Sequence, residues 1–312
     1  MKIKTIFVVG PTASGKTGLS IELAKRYNGE IVSADSMQIY KGFHIASAAP
    51  DEDEKMGIPH HLLEFLESDT EYSVAEYVKA AKECIEDINA REKLPIIVGG
   101  TGLYISSLLD NTSFCEEETD FELRKALEKE FDLLGGEEML KKLSLFDSDS
   151  AKRLHPNNKR RIIRAFEVYK KTGKTITEQN LKSKLKESDL NPLVIGINFK
   201  DREKLYSRIN ERVDLMIKNG LVKEAETTLD KANGKGGFQA IGHKELYPYL
   251  KNECDLLSAA ENLKMQTRRY AKRQLTWFRR DERINWIYGD ETESLLNQAI
   301  KLADNFLKEE ER

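Results

Sequence analysis

The residues best suited to chemistry lie near the N-terminus, where residues 10–17 read GPTASGKT. This segment fits the pattern G-x-x-x-x-G-K-T of a phosphate-binding loop. Its glycines allow a tight turn close to an anion, and its amide groups can point at bound phosphates. Lys16 adds a cation, and the Thr17 hydroxyl can bind Mg²⁺. The motif predicts a diphosphate or polyphosphate site formed by Gly10, Pro11, Thr12, Ala13, Ser14, Gly15, Lys16 and Thr17.

A second group of polar side chains follows residues 30–35, which read EIVSAD and predict a strand. Asp35 ends this strand, and Ser36, Met37 and Gln38 come directly after it. Ligands of open parallel sheets bind beyond the carboxyl ends of the strands, so we expect Asp35 to face the same crevice as the phosphate-binding loop. Such a group can hydrogen-bond and deprotonate an acceptor molecule. On position alone, Asp35 could instead cap a helix or form a turn.

A third candidate segment is GGTGLY at residues 99–104, which follows the predicted buried strand 94–98. Its glycines permit close approach of the main chain to a ligand, and Thr101 offers a hydroxyl to the crevice. The alternative is a plain strand-to-helix turn in which Thr101 caps the helix.

These segments need a scaffold that brings several strand ends together. Apolar residues 6–9 precede the phosphate-binding loop, an amphipathic pattern follows it, and further strands are predicted at 94–98 and 191–199. This alternation predicts an α/β fold, a P-loop NTPase-like parallel sheet with helices on both faces. Residues 113–190 show helical periodicity and predict an inserted all-helical domain. The catalytic core would then consist of residues 1–112 and 191–312.

Two basic segments indicate a polyanionic partner, although the net charge of the 312-residue chain is −3. The first lies in the predicted insertion and comprises Lys152, Arg153, Lys159, Arg160, Arg161, Arg164, Lys170, Lys171 and Lys174. The second, at 266–280, interleaves basic residues with Tyr270 and Trp277. Cations that neutralise phosphates and aromatic rings that stack on bases are typical of nucleic-acid binding. The alternative is that the two aromatic side chains pack inside the protein.

The composition and the remaining motifs bear on the location of the protein, the state of its cysteines and metal binding. No apolar run approaches the ~18 residues of a membrane span, and the start of the chain predicts a strand rather than a signal peptide, so we expect a cytoplasmic protein without a membrane partner. Cys84, Cys115 and Cys254 form no C-x-x-C pair and predict reduced thiols. His60 and His61 would point to opposite faces of a strand, which favours structural roles over a shared metal.

Taken in order, the motifs resemble those of the tRNA dimethylallyltransferase family. The matching segments are GPTASGKT at 10–17, ADSMQIYKG at 34–42, GIPHHLL at 57–63, GGTGLY at 99–104, HPNNKRRIIRAFEVY at 155–169, ERV at 211–213, QAIGHKE at 239–245 and QTRRYAKRQLTWFRRD at 266–281. The resemblance implies transfer of a dimethylallyl group from dimethylallyl diphosphate to N6 of the adenine 3′ to the anticodon. It also implies a P-loop core with a helical tRNA-binding insertion.

The resemblance further implies roles for single residues. Asp35 would accept the proton of the adenine amine, and Thr101 would hydrogen-bond the bridging oxygen of the diphosphate. Lys16, Arg212 and Mg²⁺ held by Thr17 would stabilise the leaving diphosphate. The tRNA-binding candidates are Asp35, Ser36, Met37, Gln38, Thr101, Arg124, Lys159, Arg160, Arg161, Ile162 and Ile163. The implied partners are a tRNA anticodon stem-loop and dimethylallyl diphosphate, and we expect a monomer.

The chain departs from the family pattern in one segment. The family usually reads GMDIGTAKP where residues 42–50 read GFHIASAAP, so His44 replaces an acid and Ala49 replaces a lysine. His243 stands where the family usually has tyrosine. These changes put tRNA affinity or the local loop geometry in doubt, whereas the reacting positions are unchanged.

Three rival functions share part of these features. A small-molecule or nucleoside kinase also has a phosphate-binding loop, but no other apolar strand ends in the metal-binding acid expected of many kinases. A prenyltransferase acting on free adenine nucleotides would bind tRNA weakly, so a binding assay across salt concentrations would distinguish it. A non-catalytic RNA-binding protein would not need Lys16 and Asp35 in one crevice.

Overall fold

The computed structural model describes residues 2–112, 120–184, 188–229 and 236–308. They fall into two compact units: unit 1 covers 1–109 and 189–312, and unit 2 covers 110–188. The division predicted from the sequence lay at residues 113 and 190. Residue 113 is outside the described residues, as is Cys115, whereas Cys84 and Cys254 are free thiols. No helix in the described part of the chain is long and apolar enough to span a membrane.

Unit 1 is built, within the described residues, on a six-stranded sheet. The strands are β1 (Ile3–Val9), β2 (Gly29–Ser33), β3 (His60–His61), β4 (Leu94–Gly99), β5 (Leu190–Asn198) and β6 (Ile284–Tyr288). Their order across the sheet is β3-β2-β4-β1-β5-β6, and every neighbouring pair is parallel. The predicted α/β fold class is therefore confirmed. β6 is a strand that the sequence patterns did not reveal.

The helices of the described residues follow in chain order. They are α1 (Lys16–Arg26), α2 (His44–Ser47), α3 (Glu52–Lys55), α4 (Val74–Ala90), α5 (Gly102–Leu109), α6 (Phe121–Ser144), α7 (Ser148–Arg153), α8 (Lys159–Thr172), α9 (Ile176–Lys184), α10 (Arg202–Lys218), α11 (Leu221–Leu229), α12 (His243–Leu250), α13 (Leu256–Phe278) and α14 (Leu295–Lys308). Helices α6 to α9 belong to unit 2, and the others belong to unit 1.

The central strands of unit 1 are buried on both faces. Ile6 and Val8 of β1 belong to an apolar cluster that includes residues of α1, α10 and α14. Phe7 is also fully buried but lies outside that cluster, as expected for a side chain on the other face. Burial on both faces explains why this strand is a continuous apolar run rather than an alternating one.

The register of the strands aligns the three candidate segments. Val9 of β1 pairs with Gly99 of β4, and Ser33 of β2 pairs with Val98. The phosphate-binding loop, the segment that starts at Asp35 and the second glycine-rich turn therefore leave the sheet at the same level. Parallel strands place their carboxyl ends on one edge, which is where such sheets bind ligands.

A buried carboxylate ties β2 to its neighbours. The side chain of Glu30 is 1% exposed and accepts hydrogen bonds from Arg91 Nη2 at 2.8 Å and Lys93 Nζ at 2.7 Å. Its Oε2 also lies 2.8 Å from His61 Nε2, whereas His60 Nδ1 contacts the Ile58 carbonyl. The hydrogen bonds from Arg91 hold the pKa of Glu30 well below its usual range, although burial opposes the shift.

We expect Glu30→Gln to lower the free energy of unfolding by about 3 kcal/mol, since it removes one partner from a buried charge cluster. The pKa of Glu30 is lower in the folded than in the unfolded chain, where it is about 4.3. Its stabilising contribution is therefore present above about pH 4.3 and is lost as the pH falls through the folded-state pKa. Urea unfolding at neutral pH measures the change, with exposed Glu86→Gln as the control. Equal urea midpoints for Glu30→Gln and the wild type would contradict the prediction.

Unit 2 is a helical domain with its own core. Gly135 has φ 78° and ψ 164° inside α6, so the helix kinks where the sequence predicted a break. A Cβ atom on Gly136 would lie 2.1 Å from the Pro156 carbonyl oxygen, which explains the second glycine. The core cluster contains Leu127, Met139, Leu143, Ile162, Ile163, Ala165 and Phe166.

Candidate active site

The phosphate-binding loop has the geometry of an anion site. Gly10 and Gly15 have φ values of 150° and 95°, which disfavour residues with a side chain. Gly15 directly precedes α1 and has no side chain to cap it, so the amides of the first turn are available to an anion. The Ser14 hydroxyl is buried and has no hydrogen-bond partner among the described residues. A bound phosphate oxygen would satisfy it.

Two cations converge on this loop. Lys16 Nζ donates to the Pro11 carbonyl at 2.7 Å, and burial followed by repulsion from Arg212 lowers the pKa of Lys16 to about 7. The pKa of Arg212 is also lowered, chiefly by burial. The carboxylate of Asp35 opposes both shifts, so its charge acts on both cations. An anion bound between Lys16 and Arg212 would relieve their repulsion.

Arg208 has a different position from Arg212, although the i, i+4 spacing places both on one face of α10. Its Nε donates to the Ala13 carbonyl at 2.9 Å, and its guanidinium carbon lies 5.8 Å from the centre of the Phe199 ring. Arg208 therefore supports the main chain of the phosphate-binding loop.

Two cavities of unit 1 meet at the phosphate-binding loop. The first, of about 310 Å³, is lined by Asp35, Ser36, Met37 and Gln38 on one side. Its apolar lining residues include Val213, Met216, Ala240, Ile241 and Leu263. The second, of about 640 Å³, is lined by loop residues 13–17 and by Arg208. Four residues border both cavities: Lys16, Thr17, Arg212 and Met216.

The two glycine-rich turns are joined by one amide side chain from α13. Gln274 Oε1 accepts a hydrogen bond from the Thr12 amide at 2.9 Å, and Gln274 Nε2 donates to the Gly100 carbonyl at 2.9 Å. A Cβ atom on Gly100 would lie 2.1 Å from Gln274 Nε2 and 3.5 Å from the Gly10 carbonyl oxygen. Both turns therefore open onto the same crevice, and a side chain at Gly100 would displace the Gln274 amide that joins them.

The side chains of Thr101 and Asp35 fix the main chain at Ser36 and Met37. Thr101 Oγ1 accepts from the Ser36 amide at 2.9 Å, and Asp35 Oδ1 accepts from the Met37 amide at 2.9 Å. Asp35 thus makes the turn contact considered above and also faces the cavity. Thr101 is not among the described residues that line the cavity, but its side chain hydrogen-bonds Ser36 and Tyr270. It therefore acts on residues of the site rather than capping α5 through its hydroxyl.

The structure places the tRNA-binding candidates of unit 2 in different environments. The side chains of Arg160 and Arg161 are exposed, and Lys159 forms an ion pair with Asp132. Ile162 and Ile163 are 0% and 4% exposed in the core of unit 2. Their side chains do not face the surface, because α8 turns its apolar face inward, and a contact of these two residues with tRNA stays a prediction.

Arg124 is engaged within unit 2. Its Nε donates to Glu167 Oε1 at 2.6 Å, and Arg164 Nη1 lies 3.4 Å from the same carboxylate. The Glu167 side chain is 4% exposed and needs cationic partners. The position of Arg124 therefore explains how a buried acid is satisfied, whereas contact with tRNA stays a prediction.

Gln274 is a site residue that the sequence patterns did not single out. We expect Gln274→Met, which keeps the side-chain length but removes both polar atoms, to lower kcat/KM by about tenfold. That factor corresponds to about 1.4 kcal/mol, within the range for buried polar groups left without partners. Steady-state kinetics measure the change, and a thermal melt monitors folding. Exposed Leu257→Met, on the same helix but outside the basic segment 266–280, is the control and should have wild-type kinetics.

The residues that could hold a magnesium ion are few. Among the described residues, no group of three or more His, Cys, Asp or Glu side chains is arranged to hold a metal. Thr17 borders both cavities beside Lys16, where its hydroxyl could bind an ion that also contacts diphosphate oxygens. This donor set fits Mg²⁺, which commonly binds substrate phosphates and keeps several waters.

Comparison with known proteins agrees with this geometry. The family model described as IPP transferase matches residues 38–281. The chain belongs to the IPP transferase family. Among its relatives, the tRNA dimethylallyltransferase of Thermoanaerobacter sp. (strain X514) is 48% identical over 294 residues, or 93% of each chain. The enzyme of the same name from Bacillus subtilis is 46% identical and covers 91% of this chain and 90% of its own.

Solved structures of the IPP transferase family have the same fold. The tRNA delta(2)-isopentenylpyrophosphate transferase of Staphylococcus epidermidis is 42% identical, with a TM-score of 0.71 over 97% of this chain and 100% of its own. A eukaryotic dimethylallyltransferase described as acting on tRNA is 30% identical, with a TM-score of 0.85 over 98% of this chain and 79% of its own. The family named by the motifs is therefore confirmed.

Proposed function

We propose that this chain transfers a dimethylallyl group from dimethylallyl diphosphate to N6 of the adenine 3′-adjacent to the anticodon in tRNA. One observation carries the proposal: the carboxylate of Asp35 shares a cavity with the phosphate-loop cation Lys16 and with Arg212. The names of the relatives and of the solved structures support the same reaction.

The phosphate-binding loop would stabilise the leaving group. Negative charge accumulates on the diphosphate as the bond between its bridging oxygen and the allylic carbon breaks. The loop amides, Lys16 and Arg212 would stabilise that charge, and the cavity linings that contain Lys16 and Arg212 support this role. Thr101 would hydrogen-bond the bridging oxygen after a small adjustment of its contacts with Ser36 and Tyr270.

Asp35 would act on the acceptor. The exocyclic amine of adenine is a poor nucleophile, because its lone pair is delocalised into the ring. As the new carbon–nitrogen bond forms, the amine proton would pass to the Asp35 carboxylate, and the diphosphate would leave with the electrons of the carbon–oxygen bond. A base stacked in an anticodon loop must leave the stack to reach this cavity. Ser36, Met37 and Gln38 line the same wall and would hold it there.

The apolar wall of the first cavity suits a short prenyl chain. Met216 borders both cavities, and Val213, Ile241 and Leu263 extend its surface. Burial of a five-carbon chain against them is favourable by roughly 25 cal/mol per Å² of apolar surface. Such a pocket also excludes water, which would otherwise compete with the amine for the allylic carbon.

Magnesium and the partner assignments complete the proposal. Bound through Thr17, Mg²⁺ would offset the negative charge of the diphosphate. Arg160 and Arg161 present cations on the surface of unit 2 that suit RNA phosphates. We also propose a monomer and, because tRNA is the substrate, a cytoplasmic location.

The test is incubation of the purified protein with dimethylallyl diphosphate and an unmodified anticodon stem-loop RNA, followed by mass spectrometry of the nucleosides. We expect one adenosine in which a dimethylallyl group replaces a hydrogen. An RNA with guanosine at the target position is the control and should remain unmodified. If ATP instead of the prenyl diphosphate labels a small acceptor, the chain is a kinase and the proposal fails.

A further inference from the structure

A carboxylate outside both cavities holds the segment that lines them. Glu224 of α11 accepts hydrogen bonds from two amides at the start of α2, Ile45 N at 2.7 Å and Ala46 N at 3.0 Å. Helix α2 is only four residues long, and none of its side chains is fully buried. Ile45 and Ala46 pack against an apolar cluster that includes Val213 and Leu221, and the two hydrogen bonds to Glu224 add to that packing in fixing the helix.

Glu224 is itself fixed by a buried histidine. His243 is fully buried, with Nε2 2.8 Å from Glu224 Oε1 and Nδ1 2.9 Å from Thr228 Oγ1. The Thr228 hydroxyl donates to the Ala225 carbonyl at 2.9 Å. Burial opposes ionisation of Glu224, but its hydrogen bonds with His243 and the two amides lower its pKa overall.

The opposite end of α2 leads into the first cavity. Gln38 Nε2 donates to the carbonyls of Ser47 at 3.3 Å and Ala48 at 3.1 Å, and Gln38 Oε1 accepts from Ser33 Oγ at 3.1 Å. Gln38 lines the cavity next to Asp35 and is the side chain proposed to hold the acceptor base. An unbroken series of hydrogen bonds and main chain thus joins Thr228 to Gln38.

Two aromatic rings lie at this network. One belongs to Phe43, which precedes α2, and the other to His243, which stands where the family usually has tyrosine. Their rings are stacked, with centroids 4.6 Å apart and an interplanar angle of 29°. The Phe43 and His243 rings therefore form an aromatic contact beside α2.

We propose that Glu224, His243 and Thr228 are positioning residues for the acceptor base, acting through α2 on Gln38. The inference rests on the proposed function and adds residues that do not touch the substrates. Loss of one link displaces Gln38 but leaves the phosphate-binding loop intact, because that loop is held by Arg208 and Gln274.

The first experiment compares Thr228→Val, which removes the hydroxyl, with Thr228→Ser, which keeps it. Glu224→Gln leaves at least one of the two α2 amides without its acceptor. We expect Glu224→Gln to raise KM for the stem-loop RNA about tenfold and Thr228→Val to raise it about fivefold, as for single buried hydrogen bonds. KM for dimethylallyl diphosphate should change less than twofold, and Thr228→Ser should behave like the wild type. Equal changes in both KM values would indicate a general structural effect and overturn the proposal.

A double-mutant cycle tests the route through Gln38. If Thr228 acts through Gln38, then Thr228→Val combined with Gln38→Ala should be no worse for RNA KM than Gln38→Ala alone. Additive effects would show that Thr228 acts elsewhere.

Hydrogen exchange of the substrate-free protein separates this inference from the proposed function. Glu224→Gln should speed exchange of the Ile45 and Ala46 amides at least tenfold, whereas exchange of the β1 amides should change less. An inactive wild-type protein would refute the proposed function, whereas unchanged exchange in Glu224→Gln would refute the positioning role.

Discussion

Replacing Asp35 by asparagine is expected to lower kcat by roughly 10²- to 10⁴-fold, the usual contribution of a positioned general base. The amide has nearly the same shape as the carboxylate and can still accept the hydrogen bond that Asp35 Oδ1 receives from the Met37 amide. It cannot accept a proton from the adenine amine. Affinity for the stem-loop RNA should therefore change little, since only the proton-accepting function is lost.

Single-turnover kinetics with RNA bound in advance isolate the chemical step, and a filter-binding assay measures the affinity. Asp69→Asn makes the same chemical change at an exposed position and should have wild-type kinetics. A kcat for Asp35→Asn within tenfold of the wild type would remove Asp35 from its role as the base. A large loss of RNA affinity would instead assign Asp35 to binding.

The local parts of the site could be predicted from the sequence, because the residues that determine their chemistry are close together in short segments. The octet at 10–17 fixes a loop, a cation and a helix start together. Asp35 ends a strand that had to be parallel to β1, so its place at the carboxyl edge followed from the fold class. The structure brings both to one cavity, while their roles in turnover stay predictions.

The long-range contacts could not be predicted in this way. Gln274 is 262 residues from Thr12, and nothing in its neutral side chain distinguishes it within a basic segment. Glu224 and its two amide donors, Ile45 and Ala46, are also remote in sequence. Contacts of this kind depend on how α13 and α11 pack, which periodicity does not specify.

The burial of Ile162 and Ile163 in α8, in contrast, could be predicted from periodicity. Ile162, Ile163 and Phe166 recur at the spacing of one helix face, and all three are buried. Periodicity alone would have placed them inside. The resemblance to the family covers the whole segment, whereas its exposed cations, such as Arg160 and Arg161, and its buried apolar residues lie on different faces of α8.

Replacing Lys16 by methionine is expected to lower kcat/KM for dimethylallyl diphosphate by about 10²- to 10³-fold, the usual cost of removing one donor to a developing anion. The wild type should also depend on pH through this residue. Since the pKa of Lys16 is lowered to about 7, the side chain is charged below that pH and neutral above it. Thus kcat/KM, which reports the free enzyme, should fall as the pH rises above about 7. Bound diphosphate raises the pKa of Lys16, so kcat should fall only at higher pH.

Two substitutions test whether Lys16 causes this pH dependence. Lys16→Arg keeps a cation that does not titrate in this range, so its kcat/KM should show no fall near pH 7. Arg212→Met removes the positive charge that repels Lys16, so the fall should move to higher pH even though the overall rate is lower. Lys25→Met, on the exposed face of α1, should keep the wild-type profile. The positive charge of Arg212 lowers the pKa of Lys16, so removing that charge must shift the pH profile if Lys16 is the group that titrates. If Arg212→Met and the wild type have the same pH profile, another group causes the fall in kcat/KM.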